Sequence, residues 1–111
     1  MRVIRRLGLG RGPQIVAKVK RLVAAAAKKH RLQKAFLFGS TARGDYSEAS
    51  DVDLLLVGDF KERFLQRGMD IEAGSSLPLQ LFCYTPQEFE KMRRERNPFA
   101  VEAEKGLKLL G

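Results

Sequence analysis

The chain has 111 residues, enough for one domain with a single core, and 44% of them are hydrophobic, which is ordinary for a globular protein. No apolar stretch approaches the roughly 20 residues that a membrane span needs, and a single cysteine, Cys83, excludes an internal disulfide and a cysteine-rich zinc site. We therefore expect a cytoplasmic protein. Its formal net charge is +8.

The excess positive charge lies in the N-terminal third. Residues 1–34 hold eleven Lys or Arg residues and no acidic residue, whereas residues 35–111 hold ten basic and thirteen acidic residues. Residues 1–12 combine four arginines with three glycines, which predicts a basic flexible arm before a single domain over residues 13–111. A basic segment suits nucleic acid, an acidic protein or a solvated helix face. Because no aromatic residue is interleaved with it, nucleic acid is not the favoured partner.

An amphipathic helix is predicted over residues 13–30, because apolar side chains recur there at intervals of three or four residues. Two apolar runs follow, at residues 35–38 and 52–57, and each predicts a strand. The second run is apolar at every position after Asp53, as in a strand covered on both faces. Between the runs, residues 41–49 are expected to form a loop or a single helical turn.

The second half continues the alternation of helices and strands. Thr85-Pro86-Gln87-Glu88 has the pattern of a capping box, which predicts a helix start. The whole order predicts an α+β fold of α/β-like appearance, a small mixed sheet with helices packed on it. The remaining predicted elements are a short helix over 60–68 stopped by Gly68, a strand over 77–84, a helix to about Arg96, a helix from Asn97-Pro98 to Gly106, and an edge strand over Leu107–Leu110.

One cysteine–histidine pair is available for catalysis, Cys83 with His30. Cys83 lies in an apolar segment, which favours a small buried hydrophobic side chain over a reactive thiol. His30 lies in a basic helix end. We therefore assign no catalytic role to either residue.

Two aspartates open the second apolar run, Asp51 and Asp53. On a strand, side chains at i and i+2 share a face and stand about 6–7 Å apart. Two carboxylates this close repel each other and are costly to bury, so a cation is expected between them. Mg²⁺ fits, because it takes few protein carboxylates and completes its shell with water and phosphate oxygens. The spacing allows one cation between the carboxylates or a pair of Mg²⁺ ions about 4 Å apart, and we expect the pair with a bound nucleoside triphosphate. Asp51 could instead be an ordinary turn residue after Ser50.

A Gly-Ser turn ends the preceding strand. Gly39 allows the backbone to approach a phosphate closely, while N–H groups and the Ser40 hydroxyl can donate to its oxygens. Arg43 would add positive charge there, but an ion pair with Asp45 or Glu48 fits equally well. An ordinary strand-ending turn is the alternative interpretation of Gly39-Ser40.

Gly39-Ser40, ten further residues and then Asp51-Val52-Asp53 resemble the signature of the DNA polymerase beta-type nucleotidyltransferase superfamily. The wider stretch GSTARGDYSEASDVDLLLV and the ending TPQEFEKM…NPFAVEAEKGLKLL are similar to its minimal nucleotidyltransferases. Those are small proteins often paired with a HEPN-domain toxin. The resemblance extends over residues 14–110.

The resemblance implies a minimal nucleotidyltransferase fold and a set of site residues. Asp51 and Asp53 would be catalytic and metal-binding, and Gly39, Ser40 and Arg43 would bind the nucleotide. The implied reaction is Mg²⁺-dependent transfer of a nucleotide, AMP from ATP, to a hydroxyl on an acceptor. The implied acceptor is a small helical HEPN-type protein, with this chain as its antitoxin.

Gln80 departs from the superfamily pattern. By the resemblance, a third carboxylate usually stands on a later strand, and the matching position in LPLQLFCYTP is Gln80. We expect Gln80 to be buried among Leu79, Leu81 and Phe82 and to face the site. An amide oxygen can bind Mg²⁺, but the amide is neutral and cannot act as a base.

Several functions therefore stay open at this point. The chain could catalyse with two carboxylates, use an acid supplied by a partner, or act as a catalytically impaired binding module. Nucleic-acid binding through the basic N-terminal third is a further hypothesis. The acceptor could also be held at the interface of a homo-oligomer.

Overall fold

The computed structural model describes residues 3–39 and 52–111, with side chains from residue 14 onward in those ranges. The alternation of helices and strands confirms the predicted α+β class. No helix in the described ranges is long and apolar enough to cross a membrane. The elements are α1 (Val3–His30), β1 (Lys34–Phe38), β2 (Val52–Val57), a 3₁₀ turn (Phe64–Gln66), α2 (Met69–Ala73), β3 (Leu79–Tyr84), α3 (Pro86–Arg94), α4 (Pro98–Glu104) and β4 (Leu107–Leu110).

The strands form one mixed sheet in the order β3-β2-β1-β4. β1 is antiparallel to both β2 and β4, whereas β2 and β3 are parallel. β4 lies at an edge, as the sequence predicted. Because β1 runs opposite to β2 and β3, the last residues of β1 meet the first residues of the other two strands.

Each face of the sheet carries its own hydrophobic cluster. α1 covers one face, where its apolar stripe packs on alternate residues of β1 and β2. α3 and α4 cover the other face, over a cluster rich in phenylalanine. The first cluster is built around Ile15, Val19, Val23, Ala35, Leu37, Val52, Leu54 and Leu56, and the second around Phe36, Phe38, Leu55, Val57, Phe89 and Ala100.

The N-terminal helix starts earlier than predicted. Its end at His30 agrees with the sequence, but its start is Val3 rather than Pro13. Glycine and proline disfavour a helix interior, which is why the sequence placed the start at Pro13. The arginines and leucines between the glycines are good helix formers, and residues 3–12, expected as an arm, are helical. The flexibility of this segment and the domain boundary at residue 13 stay predictions.

The predicted helix over residues 60–68 is wrong. A 3₁₀ turn occupies Phe64–Gln66, and Gly68 precedes α2 instead of ending a helix. Gly68 has φ of +79°, and a Cβ there would lie 2.9 Å from the Cys83 sulfur. Glycine marks both helix ends and close approaches, and here it serves the approach of this segment to β3.

The capping box of α3 is confirmed and carries an additional ion pair. Thr85 Oγ1 accepts from the Glu88 backbone N–H at 3.2 Å, and Glu88 Oε1 accepts from the Thr85 N–H at 2.8 Å. Arg67, with only 10% of its side chain exposed, donates to both carboxylate oxygens of Glu88 at 2.6 and 3.3 Å. The hydrogen bonds from Arg67, helped by the Thr85 N–H, hold the pKa of Glu88 below its usual range although partial burial opposes this.

Replacing Glu88 by glutamine tests this linkage. Glu88→Gln removes the charge opposite a nearly buried arginine and should lower the free energy of unfolding at pH 7 by about 1–3 kcal/mol. Because the pKa of Glu88 is depressed in the folded state, its stabilisation is present above its ordinary value of 4.5 and is lost as pH falls through the lower folded-state value. Urea denaturation should therefore show a difference between wild type and variant that shrinks on acidification.

Glu90→Gln is the matched control on the same helix. Glu90 pairs with Arg93 at 3.2 Å, and both side chains are well exposed, 53% and 43%. Such a pair contributes little. Equal losses in the Glu88 and Glu90 variants would contradict the linkage.

Candidate active site

Side chains from three strands lie in one row at the end of the sheet where β1 finishes. Phe38 is paired with Asp53 on one side, and Asp53 is paired with Gln80 on the other. Paired residues on neighbouring strands point to the same face, and adjacent strands lie about 4.8 Å apart. The Asp53 carboxylate therefore stands between an aromatic ring and an amide, on the face covered by α3 and α4.

Gly39 lies directly against this carboxylate. It follows β1 with φ of +78°, a left-handed conformation that strains other residues. A Cβ built on Gly39 would collide with Oδ2 of Asp53. The structure therefore brings together two of the predicted site residues, and it does so by a contact that only glycine permits.

Gln80 is exposed, so the expectation that it is buried is wrong. The expectation rested on its apolar neighbours in sequence, but Leu79 and Leu81 point to the α1 face of the sheet. Gln80 shares the other face with Asp53 and lies beside it in register. Its amide is thus available at the same edge as the carboxylate.

Three of the predicted site residues, Asp51, Ser40 and Arg43, lie outside the described residues. Within residues 14–39 and 52–111 no group of three or more His, Cys, Asp or Glu residues could hold a metal ion. The described donors at the edge are the Asp53 carboxylate, which is partly exposed, and the Gln80 amide. Both are hard oxygen ligands, and with Asp51 they would form a donor set that fits Mg²⁺ with phosphate and water completing the shell.

Phe38, Phe82 and Phe99 form an aromatic wall on the face of the sheet that carries Asp53, and the sequence did not predict it. Phe99, the second residue of α4, packs edge-on against Phe82 with ring centroids 4.3 Å apart and against Phe38 at 5.9 Å. Phe82 follows Gln80 by two positions and so shares its face. The available signal was this two-residue spacing, together with Phe38 directly before Gly39. The wall places apolar surface beside the carboxylate, which strengthens electrostatic interactions there.

His30 and Cys83 have structural roles. His30 is buried, its Nε2 lies 3.1 Å from Oδ2 of Asp70, and its ring packs on Phe60 at 4.8 Å. Burial raises the pKa of Cys83 to about 12, so its thiol stays protonated at neutral pH. Desolvation alone would raise the pKa of Asp70, but the hydrogen bonds and electrostatic attraction of Lys29 and His30 together lower it.

Comparison with known proteins identifies the family. The family model described as "Nucleotidyltransferase domain" matches residues 19–109, most of the chain. The chain therefore belongs to the nucleotidyltransferase-domain family. A crystal structure of a "putative nucleotidyltransferase" from Sulfolobus solfataricus shares the fold, with a TM-score of 0.60, 22% identity, and coverage of 76% of this chain and 78% of that one.

Two proteins of Methanocaldococcus jannaschii named "Putative protein adenylyltransferase" are similar to this chain over shorter stretches. One is 54% identical over 43 residues, which is 37% of this chain and 43% of the relative. The other is 59% identical over 29 residues, which is 26% of this chain and 29% of the relative. The similarity thus spans less than half the length of either relative.

Gly39→Ala tests the contact at the site. The alanine combines a left-handed φ with a clash against Asp53, so we expect a loss of about 1–3 kcal/mol in unfolding free energy or a displaced carboxylate. Gly74→Ala is the matched control, because φ is −88° and the nearest atom to an added Cβ lies at 3.6 Å. Urea denaturation would measure the stability of both variants, and calorimetry would measure their nucleotide binding. A Gly39 variant that is as stable as the Gly74 variant and binds nucleotide unchanged would contradict the assignment.

Proposed function

We propose that this protein is a Mg²⁺-dependent nucleotidyltransferase that transfers AMP from ATP to a hydroxyl group on a protein. The observation that carries the proposal is the contact of Gly39 with the Asp53 carboxylate at the edge shared with Gln80. Such chemistry needs hydrogen-bond donors for the phosphates and a metal-binding carboxylate within a few ångströms of each other. Family membership supports the same class of reaction.

In the proposed reaction, an acceptor hydroxyl oxygen bonds to the α-phosphorus of ATP while the bond from that phosphorus to the bridging oxygen breaks. Pyrophosphate leaves, and the hydroxyl proton passes to a site carboxylate or to water. Bound Mg²⁺ would neutralise the triphosphate and polarise its oxygens. Asp51 and Asp53 would hold the ions, while Gly39 and Ser40 would donate backbone and hydroxyl hydrogen bonds to the phosphates.

Gln80 sets the charge of this site. An amide adds an oxygen ligand without adding negative charge, and it cannot take the hydroxyl proton. The two aspartates would therefore carry all of the metal-binding charge contributed by these three positions. The rings of Phe38, Phe82 and Phe99 pack on one another, and Phe38 is the strand partner of Asp53, so apolar surface would lie beside the carboxylate.

A protein acceptor is supported by the names of the two Methanocaldococcus relatives. The resemblance to minimal nucleotidyltransferases adds a more specific proposal, a small helical HEPN-type protein that this chain modifies as its antitoxin. The hydroxyl would then belong to a Ser, Thr or Tyr side chain of that partner. The protein encoded beside this chain is the first acceptor to test.

Asp53→Asn should abolish transfer. The purified protein is incubated with MgCl₂, ATP labelled at the α-phosphate, and the neighbouring gene product. Because the amide keeps the shape but loses the charge that binds the cation, labelling should fall by roughly 100-fold or more. Asp59→Asn is the control, since Asp59 lies just past the opposite end of β2 and half of its side chain is exposed. Labelling by the Asp53 variant equal to that by the Asp59 variant would overturn the proposal.

Gln80→Glu tests the missing carboxylate. The change is isosteric and adds a negative charge beside Asp53, so the Mg²⁺ concentration for half-maximal MgATP binding or turnover should fall. Titration calorimetry and pyrophosphate release would measure it. Gln87→Glu, an exposed change on α3, is the control for added charge alone. A Gln80 variant with the Mg²⁺ dependence of the control would contradict a site-facing role.

A second function is favoured by the same residue. If the neutral Gln80 has abolished transferase activity, the protein acts as a binding module that blocks its partner by occlusion alone. It would then bind the neighbouring gene product without pyrophosphate release, and Asp53→Asn would leave that binding unchanged.

A further inference from the structure

The solvent side of α1 carries a surface of one charge. The apolar stripe of α1, formed by Ile15, Val19, Val23 and Ala26, is buried against the sheet. The side chains that turn away from it are exposed and, apart from Gln14, are either basic or small. In the part of the helix with described side chains these are Ala17, Lys18, Lys20, Arg21, Ala24, Ala25, Lys28 and Lys29, and we call them the basic face.

In the part of the chain that the structure describes, little of this charge is neutralised by acidic side chains. Lys29 pairs with Asp70 at 3.0 Å. Across residues 14–39 and 52–111, no ion pair joins Lys18, Lys20, Arg21 or Lys28 to an acidic side chain. Four exposed cations of one helix, without an acidic partner in the described ranges, produce a positive local potential.

The positive charge extends along the whole helix. α1 has 28 residues, which corresponds to about 42 Å at 1.5 Å per residue. The sequence of α1 before residue 14 adds Arg5, Arg6 and Arg11, and no acidic residue occurs before residue 35. Outside α1, the three cations Arg2, Arg31 and Lys34 are balanced by residues 35–111, which have three more acidic than basic residues. The net charge of +8 therefore arises entirely from one element.

The basic face lies away from the candidate active site. α1 packs on the face of the sheet that carries Leu37 and Leu54. Asp53 and Gln80 belong to the opposite face, with Phe38 and Phe82. A partner on the outside of α1 would be separated from the site by the sheet and would leave that face open.

We propose that the basic face of α1 binds the phosphate backbone of nucleic acid without sequence preference. Duplex DNA carries one charge per about 1.7 Å, and a single strand one per about 3.4 Å, so a one-sign helix of this length matches many phosphates. The exposed alanines permit close approach of the backbone. α1 contains no Phe, Tyr or Trp, and His30 is buried. The lack of exposed aromatic rings argues against base stacking, as the sequence indicated, but it does not affect contacts with phosphates. Protein surfaces usually mix both signs, which makes an acidic protein the weaker match.

The test measures binding of the full chain to a fluorescein-labelled 20-nucleotide RNA and to a 20-base-pair duplex of arbitrary sequence by anisotropy. The logarithm of the affinity should fall linearly with the logarithm of KCl concentration between about 50 and 200 mM. Replacing Lys18, Arg21 and Lys28 together by glutamine should weaken duplex binding and reduce the slope by about 2–3. Glutamine keeps helix propensity, and circular dichroism checks that the fold is retained.

The matched control replaces Arg94, Arg96 and Lys105 by glutamine. These side chains are exposed in the layer of α3 and α4, and the net charge change is the same. Their variant should keep at least most of the affinity and slope. Equal losses in both triple variants would show an effect of net charge alone and overturn the proposal.

Two further outcomes would also overturn it: no salt-dependent binding to either nucleic acid, or polyglutamate binding tighter than the RNA at the same charge concentration. MgATP binding by the variant of the basic face should equal that of the wild type. This second readout separates the proposal from the proposed transferase function, because either can fail while the other stands.

Discussion

The close approach of the Gly39 backbone to the Asp53 carboxylate is the contact on which the candidate site depends. It exists because β1 and β2 pair in one register, which sets the end of one strand beside the start of the next. A shift of that register by one residue would turn Asp53 toward the α1 face and into the cluster of Val52 and Leu54. The apolar pattern that stabilises both clusters therefore also fixes the carboxylate in place.

Much of the fold could be predicted from local signals. Apolar runs gave β1 and β2, and the Thr85–Glu88 pattern gave the start of α3 with its hydrogen bonds. The roles of the glycines were harder to predict, because glycine occurs at helix ends, at positive φ and at close contacts alike. At Gly68 the contact with β3 decided its role, and a contact between distant segments leaves no local signal.

The site could be predicted only in part, for a related reason. Gly39 and Asp53 were chosen from their spacing, and the structure brings them together. The exposure of Gln80 depends on strand alternation and on its edge position, which its sequence neighbours hide. Phe99 comes from a separate helix and meets Phe82 only through packing of α4 on the sheet. Asp51, Ser40 and Arg43 stay predictions.

Arg67 has a consequence for how molecules of this protein meet one another. β3 is an edge strand, and its carbonyl groups alternate between β2 and the outside. Arg67 donates to the Cys83 carbonyl at 3.2 Å while it holds Glu88. The Arg67 guanidinium occupies a carbonyl acceptor of this edge strand that a strand from another molecule would need. The contact therefore hinders strand addition and fibril growth at β3.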